Sequence, residues 1–191
     1  AIRLAAASRM AQLNQLKLDC LVISFDDIDI KVTGPCNHHL ATSQIELAMA
    51  LARLSNAKKF YFTPSYYSSS ELLLKTLGGS FSERQSYLAQ IKNLPDNFEI
   101  FWTGSEIIPE GIAKSELAEI NQILARKITL WDNYPVNDPS WMRQNLAKIY
   151  AFTGRNYQLA EVTTLCLANC LSQLTSDLSA TRQLPSGGPI S

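Results

Sequence analysis

A chain of 191 residues with 46% hydrophobic content is long enough to bury one substantial core. Seventeen basic residues balance 17 acidic ones, so net charge gives no reason to expect nucleic acid or an anionic membrane surface as a partner. No apolar run approaches the roughly 20 residues that span a bilayer, so the chain reads as soluble. It opens on Ala1 rather than Met, directly on a helical pattern and with no visible leader, so its localisation is not readable.

In chain order the pattern is helix, then strand, polar loop and helix in repetition. Apolar residues at helical spacing (Ile2, Ala6, Met10, Leu13, Leu16) predict a first helix. The run Cys20 to Phe25 predicts a strand buried on both faces. Gly34-Pro35-Cys36-Asn37 and the adjacent His38 and His39 look like a loop. A helix is expected from about Gln44 to Leu54, opened by a capping box of Ser43 and Glu46. Lys59 to Phe62 is the second strand. Helices follow from about Glu71 to Leu77, closed by Gly78-Gly79, and from about Phe81 to Lys92, opened by Ser80 and Glu83. Phe98 to Trp102 is the third strand, Lys114 to Arg126 a helix, and Lys127 to Trp131 the fourth strand. The spacing predicts a last helical zone over Tyr157 to Leu174.

Strands alternating with helices imply α/β architecture with parallel pairing through right-handed crossovers. Four clear strands and room for a fifth are too few to close an eight-stranded barrel. The expected fold is therefore a partial (β/α)₈ TIM-barrel type over residues 1–175, with its strands in chain order. Residues 176–191 form a tail or linker that ends in the Pro/Gly/Ser-rich stretch Leu184 to Ser191. Cys20, Cys36, Cys166 and Cys170 lack the spacing of a zinc site or redox pair and read as buried free thiols. No metal site and no cofactor is read from these residues.

Each strand runs straight into polar or aromatic residues that a buried strand has no use for. The first ends in Asp26-Asp27-Ile28-Asp29 and the second in Thr63-Pro64-Ser65-Tyr66-Tyr67. The third ends in Trp102-Thr103-Gly104, and the fourth in Asp132-Asn133-Tyr134-Pro135-Val136-Asn137-Asp138. In barrel enzymes the C-terminal strand ends build the active site. Adjacent carboxylates repel, so the proton affinities of Asp26 and Asp27 should separate, which is the division of labour glycoside hydrolysis requires. A helix cap, a solvated turn or a metal pair are the other readings of Asp-Asp. Tyr66, Tyr67, Trp102, Trp131 and Tyr134 offer aromatic faces suited to a pyranose, with core packing as the alternative for the tryptophans.

Taken in order, four of these segments resemble the catalytic domain of glycoside hydrolase family 84, that of O-GlcNAcases and of bacterial β-N-acetylglucosaminidases once called hyaluronidases. They are Phe25-Asp26-Asp27-Ile28-Asp29, Phe62 to Tyr67, Trp102-Thr103-Gly104 and Trp131 to Asp138. Thr153-Gly154-Arg155, followed by Leu167-Ala168-Asn169, looks like that family's last barrel segment. The likeness covers roughly residues 10–172 and implies that the chain corresponds to about strands four to eight of the barrel. It has no counterpart of the family's first three strands, with their Gly-rich first strand and pocket lysine. Tyr66 stands where relatives often carry an acid, and Cys170 where a proline is common.

The resemblance implies a retaining β-N-acetylglucosaminidase in which the substrate's own 2-acetamido carbonyl is the nucleophile and an oxazoline the intermediate. By it, Asp26 holds the acetamido N–H and Asp27 is the acid and then the base. Tyr67 bonds the acetamido oxygen, while Thr103, Trp131 and Asn133 line the pocket. Asp138 and Asn169 bind hydroxyls on the far side of the ring. The implied partner is a glycan or glycoprotein bearing β-linked N-acetylglucosamine, with self-association or a complementing N-terminal segment to close the barrel. The alternatives are a sugar-binding relative without turnover, and a metal-dependent hydrolase using Asp26, Asp27 and Asp29.

Overall fold

The structure, a computed structural model, describes residues 2–133 and 154–169. Five strands, β1 (Cys20–Ser24), β2 (Lys59–Thr63), β3 (Phe98–Trp102), β4 (Ile128–Asp132) and β5 (Thr163–Ala168), form one sheet in that order. Every pairing is parallel, with Ser24 opposite Thr63, Phe62 opposite Ile100, Trp102 opposite Leu130 and Asp132 opposite Ala168. Helices α1 (Ile2–Asn14), α2 (Ile30–Thr33), α3 (His38–Leu54), α4 (Glu71–Thr76), α5 (Phe81–Ile91) and α6 (Lys114–Leu124) lie between or before the strands. This is the α/β order expected of a partial barrel, with the strands following the chain.

Alternation along the strands divides the sheet into two faces. On one, Phe60 and Phe62 of β2, Phe98 and Ile100 of β3, and Ile128 and Leu130 of β4 are buried in a single core. The same core takes in Ala41 and Ala48 of α3, Leu88 and Ile91 of α5, and Leu117 and Leu124 of α6. On the other face Tyr61 stacks on Phe101 at 5.2 Å, and Phe101 meets Trp131 at 5.9 Å. Val22 is 51% exposed and Leu167 41%, so at β1 and β5 this second face stays open to water.

Three local expectations are corrected. The second long helix begins at His38 rather than near Gln44, because the Asn37 side chain accepts from the amides of His39 and Leu40 at 3.0 and 3.2 Å. Asparagine at that point satisfies the first free amides of the helix, which leaves Ser43 and Glu46 inside it. His38 and His39 are thus helical, and their rings meet edge-on. The Ser80–Glu83 capping box, in contrast, forms as expected. Within its described part, up to Asn169, the helix expected over Tyr157 to Leu174 is replaced by a 3₁₀ turn (Tyr157–Glu161) and β5. Two β-branched threonines, Thr163 and Thr164, favour the extended form, and the backbone edge of β4 supplies the partners. Cys166 therefore lies on an exposed strand, and Cys20 is exposed as well; of the thiols expected to be buried, Cys36 is so among the described residues. Cys170 and the tail lie outside them.

Near the N-terminal ends of β2 to β5 the second face carries a polar cluster. Glu99 receives Lys59 and the hydroxyls of Thr129 and Thr164, with Thr164 at 2.7 Å. Burial pushes the Glu99 carboxyl up, but these bonds outweigh it and leave it below its ordinary 4.5. The bond from Glu99 correspondingly raises the Lys59 ammonium. A carboxyl held below its unfolded value adds stability above that unfolded value and loses it as pH falls through the folded one. Unfolding midpoints in urea between roughly pH 3 and 6 should therefore fall on acidification, with a shallower slope in Glu99→Gln. Equal slopes in the two proteins would show that the cluster contributes nothing to acid sensitivity.

Candidate active site

Because every strand points the same way, the five strand ends arrive at one edge of the sheet. Beyond β1 the chain continues extended for one residue, the Phe25 amide donating to the Thr63 carbonyl at 2.9 Å. Asp26 follows, half-buried, and then Asp27, exposed and with φ of 50°. A left-handed backbone is uncommon for a residue with a side chain and marks a position held by its surroundings. Asp29 does not complete a carboxylate triad, since its side chain accepts from the Lys31 amide at 2.9 Å and caps α2. Among the described residues no three His, Cys, Asp or Glu side chains gather as a metal site.

After β2, Tyr67 is buried to 7% exposure. Burial first, and then the charges of Asp27 and Asp26, push its phenol up to about 12. The hydroxyl therefore stays protonated, a hydrogen-bond donor standing within the field of both carboxylates. Its ring lies 6.2 Å from that of Trp131, which is partly exposed at the end of β4. Thr103, after β3, is fully buried: its amide donates to the Tyr67 carbonyl at 2.8 Å and its hydroxyl to the Glu106 carbonyl at 2.9 Å. It ties the β2 and β3 loops together through the backbone.

After β4 and β5 two amides face each other. Asn133 donates to the Ile107 carbonyl at 2.8 Å and accepts from the Asn169 side chain at 2.9 Å. The Asn169 backbone amide donates to the Asp132 carbonyl at 2.7 Å. A concavity of about 430 Å³ on the second face is lined by Ser24, Thr63, Phe101, Trp131 and Asn169 among others. Aromatic walls with hydroxyl and amide groups between them are what an oligohydroxylated ring needs. Of the aromatic residues with faces suited to a sugar, Tyr66 is core instead, and Trp102 takes the core-packing alternative. Tyr66 is fully buried, with its hydroxyl donating to the Cys36 carbonyl at 3.2 Å, and Trp102 is buried on the helical side. Asp138 and Tyr134 lie outside the described residues.

Beneath the amides sits a pair that sequence reasoning did not single out. Asp132 is fully buried and takes Arg155 in a two-pronged bond, 2.9 Å from Nε and 2.7 Å from Nη2. Arg155 also donates to the carbonyls of Glu110 and Pro109. Gly154 makes this approach possible: its φ is 72°, and a Cβ there would stand 2.8 Å from the Glu110 oxygen. The two charges are 23 residues apart in the chain, and nothing in their local patterns announces the pairing.

A carboxylate pair, a neutral phenol, an aromatic wall and paired amides thus share the C-terminal edge of a parallel sheet, the edge at which (β/α)-barrel enzymes carry their sites. Known proteins make the assignment more specific. A family model described as beta-N-acetylglucosaminidase matches residues 4–184, and the chain belongs to that family. The protein O-GlcNAcases of Rattus norvegicus and Mus musculus are 25% and 23% identical to it over 160 residues, covering 79% of this chain and 16% of theirs. A variant of the Thermobaculum terrenum O-GlcNAc hydrolase superposes with a TM-score of 0.70 at 25% identity, over 89% of this chain and 36% of that one. The chain thus spans about a sixth of the length of these curated relatives.

The buried pair makes a stability prediction. Arg155→Met leaves the Asp132 charge without its partner and should cost about 3–5 kcal/mol, whereas the double variant Arg155→Met/Asp132→Leu should recover much of that loss. Urea unfolding of both variants checks it. A loss under about 1 kcal/mol for the single variant would show the pair to be as weak as a surface one.

Proposed function

We propose that the protein is a retaining β-N-acetylglucosaminidase working by substrate assistance. The observation that carries the reading is the buried Tyr67 phenol, standing within the field of both Asp26 and Asp27 and with the Trp131 ring 6.2 Å from its own. The substrate's acetamido carbonyl attacks the anomeric carbon as the bond to the leaving oxygen breaks. Asp27 gives its proton to that oxygen, and Asp26, ionised, accepts a hydrogen bond from the acetamido N–H. The Tyr67 hydroxyl donates to the acetamido oxygen. Water then attacks the anomeric carbon of the oxazoline, Asp27 takes its proton, and the acetamido group is restored. Bringing the internal nucleophile to the anomeric carbon is an orientation effect, worth on the order of several kcal/mol.

Trp131 forms a wall of the sugar site, Asn133 lines the acetamido pocket, and Thr103 fixes the loop that carries Tyr67. Asn169 and Asp138 take hydroxyls on the far side of the ring. The substrate class is β-linked N-acetylglucosamine on a glycoprotein or glycan, in keeping with the names of the similar O-GlcNAcases. A second reading, sugar binding without turnover, draws on the second face left open at Val22 and Leu167.

Hydrolysis of an aryl β-N-acetylglucosaminide separates the two. Turnover lost in Asp26→Ala supports the enzyme. Binding of N-acetylglucosamine seen by NMR titration, with no turnover, supports the second reading. In an active protein Asp27→Asn should lower hydrolysis of alkyl glycosides, whose leaving groups need a proton, by at least about a hundredfold. Unchanged rates would remove Asp27 as the acid.

A further inference from the structure

The two loops that carry Asp26-Asp27 and Tyr67 are joined by a buried polar cluster. Tyr87 of α5 and Gln44 of α3 are 0% and 4% exposed, and Ser65, two residues before Tyr67, is 1% exposed. The Ser65 amide donates to the Tyr87 hydroxyl at 2.8 Å, and that hydroxyl donates in turn to Gln44 Oε1. Gln44 Nε2 returns to Ser65 Oγ at 2.8 Å, closing a ring of three side chains. The remaining valence leaves the ring: Ser65 Oγ donates to the Phe25 carbonyl at 2.8 Å. That carbonyl belongs to the peptide that enters Asp26.

Each group's direction is set by the next. The Tyr87 hydroxyl proton goes to Gln44, which fixes the amide so that its NH₂ faces Ser65. Ser65 Oγ, already accepting, has its one proton to give, and gives it to Phe25. Burial makes an unmade bond costly and a completed one directional. The tether grips the chain one residue before the half-buried Asp26 and two before Asp27, whose left-handed backbone requires support. On its far side the Asp29 cap on α2 supplies a second anchor. The Phe25 ring on Phe62, at 5.4 Å, adds packing but no direction.

We infer that Gln44, Ser65 and Tyr87 are positioning residues that set the Asp26-Asp27 peptide against Tyr67. Their role in catalysis rests on the function proposed above, but their hold on the loop does not. Tyr87→Phe keeps the ring and deletes the hydroxyl, while Ser65→Ala deletes the tether itself. In the 191-residue protein, backbone NMR resonances of Asp26 and Asp27 should move in both variants, although Tyr87 lies on a distant helix, while those of Thr129 and Leu130 stay in place. Shifts confined to α3, α5 and Ser65 would overturn the inference. If Ser65→Ala does not fold, Tyr87→Phe decides alone. In a hydrolysing protein the variants should also lose kcat more on alkyl than on aryl β-N-acetylglucosaminides, with KM little changed. An equal loss on both substrates would refute positioning of the acid. Should the unsubstituted protein hydrolyse neither, the proposed function fails by itself, and the NMR measurement still settles whether the tether holds.

Discussion

Parallel strand pairing is the constraint on which everything else in this chain depends. β2, β3 and β4 are each entered from a helix that has returned across the sheet, and with all pairings parallel the five C-terminal ends reach the same edge. Short segments separated by dozens of residues, such as Asp26-Asp27 and Asn169, reach one rim without any contact of their own to bring them there. The cost is backbone polarity at the loops, which must be satisfied locally. Much of the polar structure described above does that work: Thr103 on the Tyr67 carbonyl, Asn169 on the Asp132 carbonyl, Arg155 on Glu110 and Pro109.

The two faces of the sheet divide the labour. The helical face holds the apolar core, and its residues could be exchanged for others of similar volume with modest consequences. The second face holds groups that cannot. Toward the N-terminal ends, Glu99 gathers Lys59, Thr129 and Thr164, linking four strands by charge-assisted bonds. Toward the C-terminal ends, aromatic rings and amides take over. The change from an ionic layer to an aromatic one along the same strands lets a rigid lower layer carry a site open to ligand.

What could be read from sequence, and what could not, follows from the range of the interactions involved. β1 to β4 were legible because continuous apolar runs of parallel strands are local signals, and the strand-end residues stood out because buried strands do not end in Asp-Asp or Trp-Asp-Asn by accident of packing. β5 was not legible from local pattern, which read Thr163–Ala168 as helix because its extended form depends on an edge of β4; the family resemblance at Leu167-Ala168-Asn169 alone pointed to a fifth strand. Helix α3 was misread at its start because two capping signals compete within six residues, and Asn37 lies at the observed first turn. Within the site, Asp26, Asp27 and Tyr67 could be proposed from their positions. The partners that hold the rim, Arg155 for Asp132 and the Gln44–Tyr87 pair for Ser65, act over tens of residues. A buried glutamine or arginine looks like any surface one until the fold surrounds it.

The electrostatics of the rim add a final step. Tyr67 is a buried ionisable group in the field of Asp26 and Asp27, and burial and the two carboxylates act in the same direction to oppose its ionisation. A lysine in its place would be drawn into an ion pair with Asp26 or Asp27 and would neutralise the charge that the proposed oxazoline-forming step draws on. An alanine would leave the carboxylates with water in place of a directed donor. A phenol is the compromise, since it donates one hydrogen bond in a defined direction and stays neutral beside two acids. Arg155 likewise compensates the buried Asp132 carboxylate, whose charge would otherwise stand unpaired in a low-dielectric setting. The buried pair and the neutral phenol thus share one property: neither adds an unpaired negative charge beside Asp26 and Asp27.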